Sequence, residues 1–122
     1  MELLSLVVYH NDPGTAQALV VSLSQHFGPV KLVSEYEEIS TAIARQRAEV
    51  LVLDLETSRS DAVRHLHQKF PSLCIVATHR LADEQVWTEA MNQGAADVCE
   101  PRNEQVVSSV MREHGHCAAA AA

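Results

Sequence analysis

The chain has 122 residues, 47% of them hydrophobic, and a formal charge of −7 at pH 7. That suits one domain with a core of its own, without need of a disulfide or metal staple. Such acidity mainly serves solubility and argues against a duplex-DNA surface, which needs a basic face.

The first apolar run, Leu3 to Tyr9, predicts a strand. Asn11-Asp12-Pro13-Gly14 breaks it and opens a helix, with Asp12 as N-cap and Pro13 at the first helical position. Ala16, Leu19, Val20, Leu23 and Phe27 follow at helical spacing, and Gly28 supplies the stop. Val30 to Val33 reads as a second strand. Ser34-Glu35-Tyr36-Glu37 reads as a capping box for a helix carrying Ile39, Ala42 and Ile43.

Glu49 to Asp54 is a third strand, its four consecutive branched aliphatic residues pointing to burial on both faces. Ala62, Val63, Leu66 and Phe70 mark a third helix closed by Pro71, and Leu73 to Ala77 a fourth strand. Thr78-His79-Arg80-Leu81 is a loop. Asp83 to Gln93 forms a fourth helix burying Val86, Ala90 and Met91 and stopping at Gly94. Ala95 to Cys99 is a fifth strand, and Asn103 caps a last helix with Val106, Val107 and Val110.

Strands alternating with helices imply a parallel sheet covered on both faces through right-handed crossovers. Residues 1–113 are expected to form this domain, with 114–122 an unstructured tail or linker remnant. The three cysteines, Cys74, Cys99 and Cys117, are odd in number and lack C-x-x-C spacing, which favours a reducing, cytoplasmic setting. No signal-peptide pattern or transmembrane-length run is present.

Asp54 ends the third strand, where open α/β sheets place their ligand chemistry. Asp54, Thr78 ending the fourth strand and Gly94-Ala95-Ala96-Asp97 leading the fifth stand in an order that resembles the receiver domain of bacterial response regulators. The resemblance covers roughly residues 2 to 113. It implies a doubly wound, flavodoxin-like (βα)5 sheet of order 2-1-3-4-5. It also implies Asp54 as acceptor of a phosphoryl group from a histidine kinase, and Thr78 as the switch residue. Receivers hold Mg²⁺ with two further acids ending strand one, and meet the phosphoryl group with a Lys ending strand five.

The chain departs from that pattern. His10 and Asn11 stand where the acid pair belongs, and Asp12 falls one place later, where its expected work is helix capping. A neutral imidazole and an amide in place of two negative charges should weaken Mg²⁺ binding, leaving Asp12 and Asp54 as weak candidate ligands. The Lys-Pro of the family is Glu100-Pro101 here. Either Glu100 points at the site and opposes phosphate by roughly 4 kcal/mol, or it faces solvent and no cation is supplied. Val98 replaces the aromatic switch partner, bulky His79 follows Thr78, and Ser58 and Ala62 replace a Pro and a Gly of the loop.

The expected function is therefore an atypical, receiver-like signalling domain that is not an enzyme. It would act by protein–protein interaction independently of Asp54 phosphorylation, with no cofactor and at most weak Mg²⁺. One alternative is a receiver phosphorylated at Asp54. Another is a flavodoxin-like small-molecule or nucleotide-binding domain, disfavoured by the lack of a glycine-rich phosphate loop. Partners are expected to be a protein or an output domain, with no direct nucleic-acid contact and no membrane. A homodimer through helix four, strand five and helix five is a further expectation, with Trp87 and Arg102 on that face. His65 and His67 cannot share a ligand on one helix. His114, His116 and Cys117 form only an adventitious metal candidate.

Overall fold

The computed structural model describes residues 4–121, with side chains through residue 114. Its elements are β1 (Leu6–Tyr9), α1 (Pro13–His26), β2 (Val30–Val33), α2 (Ile39–Gln46), β3 (Val50–Asp54), α3 (Ala62–Lys69), β4 (Cys74–Thr78), α4 (Glu84–Gln93), β5 (Asp97–Cys99) and α5 (Asn103–Ala121). The strands pair in parallel, in the order β2-β1-β3-β4-β5. This is the doubly wound sheet expected from the alternation, with its switch point between β1 and β3.

Every residue of β3 and β4 is buried, as their unbroken apolar runs require in a sheet covered on both faces. Alternation along the strands divides the core. Leu51, Leu53, Ile75 and Ala77 pack with Ile43 of α2, Leu66 of α3 and Ala90 of α4. Val50, Val52 and Val76 face the other way, against Leu19 and Leu23 of α1 and Val106 and Val110 of α5. Fully burying an aliphatic side chain of this size contributes about 1.5–3 kcal/mol, so these two layers dominate the stability.

Several ends follow the sequence signals. The Asp12 carboxylate accepts the Thr15 N–H at 2.9 Å, with Pro13 at the start of α1. Asp83 likewise accepts the Val86 N–H at 2.9 Å at the start of α4. Gly94 closes α4 with φ 117°, the left-handed region.

Others differ. Gly28 does not close α1; the cap is Phe27, whose N–H reaches the Leu23 carbonyl. Gly28 precedes Pro29, and the residue before a proline is pushed toward extended geometry. No capping box forms at Ser34, because a 3₁₀ turn (Tyr36–Glu38) precedes α2 and neither cap residue makes a side-chain bond. Tyr36 is instead anchored by tertiary contacts, edge-on against Tyr9 and through its hydroxyl to His65 Nδ1 at 3.2 Å. α2 closes on Arg47 at φ 50°, a left-handed residue without a glycine.

β1 is shorter than expected, and Leu3 lies outside the described residues. The backbone after residue 113 continues α5 to Ala121 instead of becoming irregular, in keeping with alanine's helix propensity. The tail candidates His116 and Cys117 lie outside the described side chains.

Candidate functional site at the strand ends

Register brings the candidate residues together. Asp54 pairs with Thr78 across β3 and β4, and Thr78 with Cys99 across β4 and β5. Tyr9 pairs with Leu53, so His10, one residue further on, stands beside Asp54. Neighbours in a parallel sheet share a face, which aligns His10, Asp54, Thr78 and Cys99 in one row at the carboxyl ends of the strands. The row lies on the side covered by α1 and α5, in the crevice where such sheets bind ligands.

Asp54 is 3% exposed and its carboxylate is occupied by its own loop. The Thr57 hydroxyl donates to Oδ2 at 2.7 Å, and the Glu56 N–H donates to Oδ1 at 3.2 Å. Both follow from local geometry, since an aspartate at a strand end readily collects donors two and three residues on. The Tyr9 hydroxyl donates to the Thr57 carbonyl at 3.0 Å, tying this turn to β1.

His10 approaches from the other side, Nε2 lying 3.9 Å from Asp54 Oδ2. Its Nδ1 accepts the Asp12 N–H at 3.1 Å. With Nδ1 used as an acceptor, the neutral ring carries its proton on Nε2 and turns that N–H toward the carboxylate. Asn11 is exposed. Asp12 is exposed as well, and its carboxylate is held by the Thr15 hydroxyl at 2.7 Å and the Thr15 N–H. Those two bonds, the hydroxyl first, lower its pKa below the usual carboxylate value.

Thr78 is fully buried, and its hydroxyl has no hydrogen-bond partner among the described residues. Glu100 faces outward, half-exposed, with Oε2 3.6 Å from Arg102 Nε. Of the two orientations open to it, this is the solvent-facing one. Val98 is buried in β5 at the position of the missing aromatic. His79 Nδ1 accepts the Leu81 N–H at 2.9 Å, and its ring lines a cavity of about 190 Å³ between α3 and α4 with Leu55, Val63 and Val86. His65 and His67 are separated as expected, the first on Tyr36 and the second against Gly94. Trp87 and Arg102 are both exposed.

Sequence reasoning missed a clamp across the mouth of the site. The Glu56 carboxylate accepts the Arg80 backbone N–H at 2.8 Å, Nε at 2.9 Å and Nη2 at 2.8 Å, joining the β3–α3 loop to the β4–α4 loop. The Arg80 side chain, then its N–H, pull the Glu56 carboxyl down to about 2. The folded value lies below the unfolded one, so the clamp contributes fully above the ordinary glutamate value near 4.5. That contribution is lost as pH falls toward 2. Arg80 is largely exposed, so solvent screening keeps the contribution of the clamp small. Residues 24 apart in sequence gave no local sign of it. Thr57 was the legible omission, because Asp followed three places later by Thr is a side-chain turn signal.

No family model matches the chain, and no curated protein does. Among solved structures it is similar to NtrX from Brucella abortus, in complex with ADP, at 14% identity and a TM-score of 0.84. That match covers 94% of this chain but 27% of NtrX, so the chain spans about a quarter of that protein's length. It is also similar to the N-terminal signal receiver domain of a two-component response regulator from Bacteroides fragilis. There the identity is 19%, the TM-score 0.82, and the coverage 93% of this chain and 98% of the other. A CheY-like protein, tadZ, from Pseudomonas aeruginosa PAO1 is 25% identical over 92% of this chain and 94% of its own, with a TM-score of 0.73. The chain has the receiver fold of response regulators.

Proposed function

We propose that this chain is a receiver-like signalling domain that works by protein–protein interaction, without phosphorylation of Asp54 and without enzymatic activity. The observation that carries this reading is the closed state of Asp54, 3% exposed and bonded to Thr57 and Glu56 of its own loop. Burial limits a phosphodonor's approach to Asp54, and the two bonds draw charge from both oxygens that could attack it.

The surrounding donors do not suit the Mg²⁺ that such chemistry uses. A hard cation wants oxygen ligands, preferably anionic. His10 turns an N–H toward Asp54, Asp12 is spent on the start of α1, and Asn11 is a neutral amide. Charge neutralisation is the main protein contribution to phosphoryl transfer, and Glu100 paired outward with Arg102 supplies none of it. Asp54 here acts as an organiser of its loop. The flavodoxin-like ligand-binding alternative has no comparable support from a phosphate loop.

The partner surface in this proposal is the side formed by α4, β5 and α5, where Trp87 and Arg102 are exposed. A second copy of the chain is one occupant to test. Among the described residues no helix is long and apolar enough to cross a membrane, and a cytoplasmic place remains part of the proposal.

Sedimentation velocity with and without a small-molecule phosphodonor tests this reading. The expected result is one unchanged oligomeric state, and if that state is a dimer, Arg102→Glu should weaken it. Association driven by the phosphodonor would overturn the phosphorylation-independent reading.

A further inference from the structure

We propose that the cavity between α3 and α4 binds a small neutral ring compound carrying one hydrogen-bond acceptor. It lies on the face of the sheet covered by α2, α3 and α4, opposite the row of Asp54, so it does not rest on the state of that residue. The cavity measures about 190 Å³. Its lining includes the buried Val63 and Ala90 and the half-buried Leu55 and Val86. An apolar cavity of about 150 Å³ already holds a benzene ring, so there is room here for a ring and a short substituent.

Most polar groups of the lining are already committed. Arg59 is paired with Asp61, its Nε 2.6 Å from Oδ1. Gln93 donates to the Ser60 carbonyl at 2.9 Å and accepts the Arg64 N–H at 3.2 Å, a bridge from α4 to the start of α3. His79 is left. Its Nδ1 accepts the Leu81 N–H, so the neutral ring carries its proton on Nε2, which makes no hydrogen bond among the described residues. That N–H is the donor available to a ligand, and it asks for an acceptor in return.

Charge narrows the occupant further. The exposed carboxylate of Glu89 repels an anion, and Arg59 does not offset it because Asp61 neutralises that guanidinium. A cation would lose hydration against Leu55, Val63, Val86 and Ala90 and gain nothing from a donor N–H. A neutral ring with a carbonyl oxygen suits both the apolar lining and the donor. No phosphate is involved, so the lack of a glycine-rich loop does not count against such a ligand. The occupant touches the β3–α3 loop at Leu55 and the β4–α4 loop at His79, the two loops that Glu56 and Arg80 join.

Three probes separate the contributions: acetophenone has the ring and an acceptor, toluene the ring alone, and benzoate the ring with a negative charge. Each is titrated into the full chain and followed by heteronuclear NMR. Acetophenone should give saturable shifts centred on the amides of Leu55, Val63, His79, Val86 and Ala90. Toluene should bind there roughly threefold to tenfold more weakly, for want of the hydrogen bond, and benzoate more weakly still. His79→Phe should remove the preference for acetophenone over toluene. Val86→Phe, which puts a ring of the protein into the space, should abolish binding of all three. Shifts that do not saturate, benzoate binding as tightly as acetophenone, or a preference that survives His79→Phe would overturn the proposal. Undiminished binding to a folded Val86→Phe chain would do the same, and if that variant does not fold, the His79→Phe result decides.

Discussion

Removing the Asp54 carboxylate and removing the Thr78 hydroxyl should move stability in opposite directions. Asp54→Ala deletes the acceptor of a 2.7 Å bond from Thr57 and a 3.2 Å bond from Glu56. Hydrogen bonds to a charged group contribute about 1.5–3 kcal/mol each. The mutant also escapes the cost of burying a carboxylate, so the net loss should be about 2 kcal/mol. Asp54→Asn keeps one acceptor oxygen and removes the charge, which should hold the change within about 1 kcal/mol. Thr78→Val has the reverse sign. The threonine hydroxyl is buried without a partner among the described residues, and replacing it by an isosteric methyl should gain about 1 kcal/mol. Urea unfolding of the three variants measures all of this. In a phosphorelay receiver, Asp54→Asn and Thr78→Val would abolish the response; here both are expected to leave the partner interaction intact.

Gly94→Ala should be the most damaging single methyl in the α4–β5 region. Gly94 sits at φ 117°, and a Cβ placed on it would come within 2.6 Å of the His67 ring. A side chain in left-handed geometry costs about 1–2 kcal/mol. Overlap with a packed ring adds about 1–3 kcal/mol. The expected loss of about 3 kcal/mol corresponds to a fall in Tm of roughly 10 °C for a domain of this size. Combining Gly94→Ala with His67→Ala should return part of the overlap cost, while the backbone share of about 1–2 kcal/mol stays. A loss below about 1 kcal/mol for Gly94→Ala would mean that α3 and α4 give way easily.

The fold was legible because its strongest signals are local. β3 and β4 are buried on both faces, so their apolar runs are unbroken, and their shortness between turn signals favours strands over helices. Asp12 before Pro13, Asp83 before α4 and Gly94 after it mark their helix ends by chemistry that acts over a few residues. The misread ends are those settled by tertiary contact or by a neighbour's restriction. Tyr36 is held by Tyr9 and His65, which delays α2 past the apparent capping box. Gly28 is governed by the proline after it.

The candidate site was half legible for the same reason. Asp54 and Thr78 end central strands, and register alone brings them side by side. The state of Asp54 was not, because it depends on a loop whose hydrogen bonds periodicity does not encode. The orientation of Glu100 turns on a three-residue edge strand, and the Glu56–Arg80 clamp joins residues that only the folded sheet makes neighbours. The substitution of His10 for an acid was visible, but its use of Nδ1 as an acceptor from the Asp12 N–H arises only in the folded loop. That hydrogen bond determines what the histidine offers to Asp54.

The most direct test of the central claim is a heteronuclear NMR titration of the full chain with Mg²⁺ and then with Mg²⁺ and beryllofluoride, a mimic of the phosphoryl group. Asp54 closed by Thr57 and Glu56 and faced by His10 predicts Mg²⁺ binding no tighter than millimolar. It also predicts unmoved amide resonances at Leu55, Glu56, Thr57, Thr78 and along α4 on adding beryllofluoride. A saturable micromolar Mg²⁺ site at Asp54, with beryllofluoride shifts spreading from Thr78 to α4 and Val98, would contradict it and make this chain a working phosphoacceptor.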